Sequence, residues 1–467
     1  MPGNDKLNTY IDEATRLLGD PNPRAAYPSL RAALGYPASI SLSPELFQTA
    51  LHILAEIVGR IASRDTTSIA ARAASLPNDA VALFVLGMSM MGQEQYDIAA
   101  TMLTRAVACD LDSSHYRAQA IAALERSGNF TDALHYLEAS SDEWKESLLG
   151  IYQKAWFSVR TGDLSVAREV NDRLQEGCKH TQDAFYLSAA ARINTVVCRE
   201  AKVRHVCSLD EKDTRGWNYI LNGGILLHLS PYGKEVMNGR YAYIQDTESL
   251  CNEAILKLHA VLRQQNIRIP KVFVLADAKS QILALALGRT LGCEMIAWPD
   301  GGTDEPGLVP VYDLEELSDV VFSSLARDAP GQYLWVHTVR WVDHTPRIYA
   351  ADFVTYLQQA YSSPWDARAR EGDSIGVAGS GVDLRTADLG VLANRIVDAE
   401  SDSTSWDDEP EILALADVIS FGQGRPIGAR SYVLTMAMGW SLVALHHMVI
   451  AVERGNQLVA AARLGLD

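Results

Sequence analysis

Apolar residues recur in two rhythms along the chain, a helical one in the first two hundred residues and a mixed one after about residue 215. In LNTYIDEATRLLG, the residues Leu7, Ile11, Ala14 and Leu18 fall three or four apart and so share one helical face. Pro21, Pro23 and Pro28 interrupt that pattern. SPELFQTALHILAEIVGRIA resumes it, with Ser43 as N-cap and Pro44 at the first helical position. From Lys271 the rhythm changes. VFVLA is a continuous run of β-formers, as suits a strand covered on both faces, and it ends at Asp277. Leu283, Leu287 and Leu291 then repeat every four positions beside Ile282 and Ala286, and Gly292 offers a helix stop. CEMIAWP is a second apolar run that breaks at Pro299. Two strands joined through one helix must run parallel, which sets Asp277, Ala278, Lys279 and Ser280 at a strand's carboxyl end and a helix's amino end.

The neighbouring segments extend this alternation. GILLHLS and RYAYIQD read as strands separated by the turn-rich SPYGKEVMNG, which holds Pro231, Gly233 and Asn238-Gly239. A helix over residues 249–265 turns Leu250, Ile255, Leu258 and Leu262 inward. LVPVYDL supplies a strand, EELSDVVFSSLARDA a helix with Leu317, Val321 and Leu325 inward, and QYLWVHTV another strand. Strands alternating with helices at this spacing predict a central three-layer, mainly parallel, Rossmann-like α/β domain over residues 215–365. It follows an all-helical stretch over 1–200. Residues 366–411 turn acidic and rich in Gly and Ser, as a linker or surface lobe, and 412–467 return to helix.

The helical stretch carries a repeat. At a period of thirty-four residues Tyr96, Phe130 and Leu164 are equivalent, as are Ala99, Ala133 and Ala167; Gly128 and Gly162 keep the same spacing, as do Leu103 and Leu137. Each small alanine lets a neighbouring helix approach. This resembles the tetratricopeptide repeat (TPR), in which antiparallel helix pairs stack into a superhelix. Leu83, Leu86, Gly87, Ala99, Leu103 and Ala106 stand where that family places its large and small residues. Ile121 replaces the first-helix glycine in the second unit, and no proline closes any unit. The resemblance covers residues 78–174 and implies a concave face that binds a protein or peptide. The alternative is that the helices only support the domain that follows.

Composition narrows the partners. A formal net charge of −17 repels phosphate backbones, and no basic cluster offsets it, which argues against nucleic acid. The amino terminus carries acids early and has no apolar core segment, unlike a secretory signal, so a cytoplasmic protein is expected. Cys109, Cys178, Cys198, Cys207, Cys251 and Cys293 form no CxxC pair and no zinc-site spacing, so they are read as reduced thiols and no metal is expected. Residues 431–452 hold no Asp, Glu, Lys or Arg over twenty-two positions, enough for a membrane span, yet Thr435, Gly439 and His446 on one side suit a buried helix or a contact between copies of the chain. The reading is of a helix buried in the protein or in a homo-oligomer rather than a membrane protein.

Polar residues recur at the carboxyl ends of the predicted strands: His228 and Ser230, Asp246, Asp277, Asp300 with Gly301 and Gly302, Asp313, and His337 with Arg340. Ligands of open α/β sheets bind along that edge, and helix amino termini attract anions. Asp277, Lys279, Ser280, Asp300, Gly301, Gly302 and Arg340 are therefore the candidates for holding a small anionic ligand, and His228, Asp277, Asp313 and His337 the candidates for catalysis. Asp277, Asp313 and Asp246 also have a plainer use as helix N-caps, and the Gly pairs as turns. His337 and His344 lie seven apart, on opposite faces of a regular strand, and the adjacent His446 and His447 diverge on a helix, so neither pair shares a metal. Trp335, Trp341 and Trp365 could line a pocket for a flat ligand but more simply pack in the core.

Residues 271–299 resemble the strand, loop and helix that open the phosphoribosyltransferase fold. In that family a later strand ends in two acids followed by a Gly- and Thr-rich phosphate loop. The counterpart here, VPVYDLEEL, has Asp313 alone and no Gly or Thr after it, so the resemblance extends to topology and not to phosphoribosyl transfer. GxGxxG after a strand, GxxxxGK[ST], GxSxG and HExxH are absent, and no cofactor is indicated. The expectation is a TPR-type adaptor whose α/β domain binds a small ligand; the alternative is a transferase or hydrolase acting on a nucleotide, sugar phosphate or peptide at the strand ends.

Overall fold

The protein is described by a computed structural model covering residues 4–61, 64–230, 238–325, 329–340, 351–366, 381–400 and 409–419. The chain forms two compact units, one running to Thr181 and the other beginning at Gln182. In the first, α1 (Asn4–Leu17), α2 (Tyr27–Leu34), α3 (Pro44–Ile61) and α4 (Arg64–Ser75) precede a run of paired helices. The pairs are α5 (Ala80–Gly92) with α6 (Tyr96–Cys109), α7 (Ser114–Arg126) with α8 (Phe130–Glu138), and, after the short α9 (Asp142–Glu146), α10 (Leu148–Arg160) with α11 (Ser165–Cys178).

The period is written into the helix ends as well as the faces. Asp79, Ser113 and Ser147, each thirty-four residues apart, cap the first helix of successive pairs by accepting a backbone N–H three residues on. Glu94, Gly128 and Gly162 occupy the turn between the helices of each pair with φ of 59°, 76° and 95°. Ala99, Ala133 and Ala167 are all fully buried. At Gly87 an added Cβ would stand 2.6 Å from Leu103 Cγ, so this helix crossing needs glycine.

In the second unit, α12 (Ala184–Val203) packs on α13 (Thr214–Asn222), so the helical stretch read as one over 1–200 divides between the units. The sheet comprises β1 (Ile225–Leu226), β2 (Tyr241–Gln245), β3 (Lys271–Val274), β4 (Glu294–Ala297), β5 (Gly307–Asp313), β6 (Gln332–Arg340) and β7 (Phe353–Ser362). All pairings are parallel, in the order β1-β7-β6-β5-β3-β4, with β2 also on β7. Strands β1 and β2 lie end to end along one edge of β7: Ile225 pairs with Phe353, and Tyr241 through Gln245 with Gln358 through Ser362. Between them Asn238 and Gly239 take positive φ and Ser230 N bonds Gly239 O.

Helices cover both faces, as the three-layer reading requires. Helix α14 (Glu248–Gln264) buries Cys251, Ala254, Ile255, Leu258, Val261 and Leu262, so its inward face begins at Cys251 and not at the expected Leu250. Helix α15 (Ala278–Leu291) joins β3 to β4 and ends at Gly292, whose φ of 64° only glycine adopts without strain. On the other face α16 (Asp319–Leu325) brings Leu325, with Leu317 before it, into a cluster with Phe273, Val309, Val311, Val336 and Val354. This helix is shorter than the sequence suggests, since Leu314–Glu316 forms a separate 3-10 turn. The predicted linker over 366–411 contains a helix, α17 (Leu389–Asp398), which packs on α14 and α15; α18 (Glu409–Val418) follows.

Strand β7 has no counterpart among the predicted elements. FVTYLQQAYS is strand-prone, yet no helical pattern separates it from β6, so the expected alternation passes over it. It is nonetheless the strand on which β1, β2 and β6 all pair. Among the described residues no helix is long and apolar enough to cross a membrane; residues 431–452, Trp341, His344, His446 and His447 lie outside them.

Candidate functional site

Two strands of the sheet lose their regular alternation at the same level. Val336 and Val339 of β6 both enter the apolar cluster, as do Val354 and Leu357 of β7, although strict pleating would put residues three apart on opposite faces. The phase shift falls at His337–Thr338 and Thr355–Tyr356, which leaves the His337 and Tyr356 rings 5.1 Å apart. Around them, on the α14 side, the core turns polar.

Asp246, just after β2, is the hub. Its Oδ2 accepts the Tyr312 hydroxyl at 2.6 Å, lies 2.9 Å from His337 Nε2 and accepts the Cys251 thiol at 3.3 Å, while Oδ1 accepts Thr247 N. The Cys251 sulfur also lies 3.7 Å from the same His337 nitrogen. Asp246 is 2% exposed and the other three are fully buried. Burial first, then the Asp246 charge, pushes the Cys251 thiol and the Tyr312 phenol well above their ordinary ranges. Thiol and carboxylate meet one ring nitrogen, whereas a nucleophile relay needs them on the two opposite nitrogens. His337 Nδ1 is buried without a partner. The set is therefore no protease-type triad; it is a convergence of one nitrogen, one sulfur and one oxygen on a point.

A second polar network adjoins it. His228 Nε2 meets the Tyr241 hydroxyl at 2.7 Å, and its Nδ1 lies 3.2 Å from Lys257 Nζ, which pairs with Glu253 at 2.9 Å. Lys257 is 1% and Glu253 2% exposed. The Tyr356 ring bridges the two networks, contacting both His228 and His337.

The third group lies where the topology reverses. After β3 the chain crosses on the face of α15, and after the neighbouring β5 on the face of α16, so the carboxyl ends of β3 and β5 flank a switch point, the usual ligand crevice of such sheets. Asp277 caps α15 there: Oδ1 accepts Ser280 N at 2.8 Å, and Oδ2 is buried without a partner. Asp313 accepts Glu315 N. Burial raises the pKa of both acids, with Glu316 adding to it. Lys279 bridges Glu316 at 2.8 Å and Asp366 at 3.5 Å, its ammonium 5.6 Å from the Tyr312 ring and 5.4 Å from the Tyr361 ring. The Tyr361 hydroxyl also donates to Glu316, and Ser280 Oγ accepts Tyr312 N.

The candidates read from the sequence thus divide. Asp277, Lys279, Ser280 and Asp313 gather at the switch point, and Arg340 lies close enough to lower the Asp313 pKa. His228 and His337 belong to the two buried networks. Gly302 N bonds Pro299 O in a turn that packs on Ser324 of α16, so the Asp300–Gly302 segment is a turn on the opposite face. Trp335 and Trp365 are buried core residues. Asp277 and Asp313 are caps as expected; Asp246 is not, because Thr247 caps α14. The groups named for an anion are engaged: Lys279 by two acids, and the amino end of α15 by its own Asp277. Sequence reasoning missed Cys251, Tyr312, Glu316, Tyr356 and Tyr361, which look like ordinary core or surface residues until the strands bring them together. A surface groove of about 650 Å³ lies at the opposite, amino edge of the sheet, near Pro270, Pro306 and Tyr333, away from this chemistry. No family model, curated protein or solved structure matches the chain.

Proposed function

We propose that the protein is a two-part binding protein. Its paired helices hold a protein or peptide partner in the manner of tetratricopeptide repeats, and its α/β unit binds a small ligand bearing hydroxyl or amino donors between the carboxyl ends of β3 and β5. The observation that carries the second half is Asp277 Oδ2, a buried carboxylate oxygen without a partner at the switch point. Asp277, Asp313, Glu316 and Asp366 outnumber Lys279 and Arg340 there, so a ligand that donates fits better than the anion expected from sequence. The repeat half rests on the thirty-four-residue spacing of caps, turns and buried alanines. An enzymatic reading gains nothing from the hub, whose thiol and imidazole are fully buried.

The test is thermal unfolding of the full chain with polyols, sugars, nucleosides, polyamines and, as contrast, inorganic phosphate. A ligand at 100 times its Kd adds about 2.7 kcal/mol, several degrees in Tm. A shift from a hydroxyl or amino compound that Asp277→Asn removes supports the reading. A shift from phosphate alone, or one insensitive to Asp277, overturns it.

A further inference from the structure

We propose that Asp246, Cys251 and His337 form a zinc-type metal site that ties β2, α14 and β6 together. The three donor atoms come from the end of β2, the first turns of α14 and the middle of β6, and lie within 4.8 Å of one another. Their separations are 2.9 Å for oxygen to nitrogen, 3.3 Å for oxygen to sulfur and 3.7 Å for nitrogen to sulfur. Around a tetrahedral zinc with bonds of about 2.0–2.3 Å, donors stand roughly 3.3–3.8 Å apart. The two sulfur distances already match, and the third needs only a few tenths of an ångström.

Donor chemistry selects the ion. One imidazole, one thiol and one carboxylate suit zinc, whereas calcium and magnesium take oxygen alone. The atoms that would bind metal already converge: the Tyr312 hydroxyl, the Cys251 thiol and His337 Nε2 all crowd one oxygen, Asp246 Oδ2, and Cys251 and His337 contact each other through sulfur and Nε2. On binding, the Cys251 thiol releases its proton to solvent as the sulfur–metal bond forms, and the imidazole proton sits on Nδ1, leaving Nε2 free for the ion. Nδ1 is buried without an acceptor, so the outer hydrogen bond usual for a metal-bound imidazole is not made here. Tyr312 remains a donor to Asp246 and holds the carboxylate in place. The three protein donors leave one tetrahedral position for a water, and with each ligand at most 2% exposed the ion sits away from bulk solvent.

The experiment uses the full chain purified without chelator, loaded with zinc chloride and dialysed. About one zinc per chain is expected by mass spectrometry, falling at least tenfold in affinity in Cys251→Ser and in His337→Gln. Cobalt in place of zinc should give a near-ultraviolet thiolate-to-metal absorption that Cys251→Ser abolishes. Wild-type protein that is folded by circular dichroism yet binds no zinc, or gives no such band with cobalt, overturns the proposal, and this arm does not depend on the variants folding. Zinc retained undiminished by a folded Cys251→Ser also overturns it, because groups other than Cys251 then hold the ion.

Discussion

Replacing Asp277 by Asn and, separately, by Ala divides the two roles of one side chain. Oδ1 caps α15, and Oδ2 is buried without a hydrogen-bond partner. Asn matches Asp as an N-cap and puts a neutral amide beside Glu316 in place of a repelling carboxylate, whereas Ala loses the cap. The cap alone is worth about 1 kcal/mol, so Asn should exceed Ala by that amount, a difference of ~2–4 °C in Tm for a unit of 150–250 residues. The pH dependence carries its own sign. Burial raises the folded-state pKa of Asp277 above the ordinary 3.8. The wild-type residue therefore contributes stability that is complete below the unfolded value and lost as pH rises through the folded one. Asn does not titrate. The advantage of Asn over wild type should accordingly be smallest in acid, grow across the carboxylate range and level off toward neutrality. Urea unfolding of the three proteins from about pH 3.5 to 7.5 reads this directly. A difference between Asn and wild type that does not change with pH, or an Asn variant as unstable as Ala, would refute the idea of a carboxylate whose burial outweighs its bonds to Ser280.

Other outcomes follow from single residues. Glu94 holds the left-handed turn that Gly128 and Gly162 hold in the next two pairs, so Glu94→Gly should raise stability by about 0.5–1 kcal/mol in urea unfolding. Gly162→Ala, where an added Cβ meets nothing within 4 Å, should lose about 1 kcal/mol from backbone conformation alone. Gly87→Ala drives a Cβ into Leu103 and should cost about 1–3 kcal/mol by the same measurement. Tyr312→Phe removes the hydroxyl that donates to Asp246 at 2.6 Å and should cost about 1–3 kcal/mol while leaving the circular-dichroism spectrum unchanged.

The elements were legible where one rhythm ruled. The helix pairs follow from residues thirty-four apart, and β3, α15 and β4 from an apolar run, a four-residue repeat and a terminal glycine. Strand β7 was lost because strand and helix do not alternate there. Cys251 was lost for a smaller reason: the inward face of α14 is offset by one residue at its start, from Leu250 to Cys251. The hub was legible only in part: Asp246 and His337 carry the local signal of a polar residue at a strand end, whereas Cys251 carries none. Asp246 and Cys251 are five residues apart and Cys251 and His337 eighty-six, so no spacing rule joins them; only the pairing of β2 with β7 and β7 with β6 does. Asp277 and Asp313 were found because a polar residue ending an apolar strand is a local signal, and parallel pairing then carries both to one edge.

The two faces of β6 and β7 make a comparison within one molecule. On the α16 side these strands bury Val336, Val339, Val354 and Leu357, which is what a stable core asks of them. On the α14 side the same strands meet Asp246, His228, Glu253 and Lys257 beside His337, all at most 8% exposed. Such groups are not the economical way to hold a sheet to a helix, since well-packed apolar residues of similar volume commonly do as well as a buried ion pair or better by about 1–4 kcal/mol. Their cost is also concentrated at one end: the polar groups begin where the pleat changes phase, at His337 and Tyr356, and continue to the carboxyl ends of the strands. The amino halves of the same strands bury Tyr333, Leu334, Trp335 and Phe353, and the polar groups there, Gln332 and Asp352, are bonded to backbone. The polar stretch beyond them runs toward the edge where parallel sheets present groups to ligands, so the proposed metal site and the proposed ligand crevice share one end of the sheet.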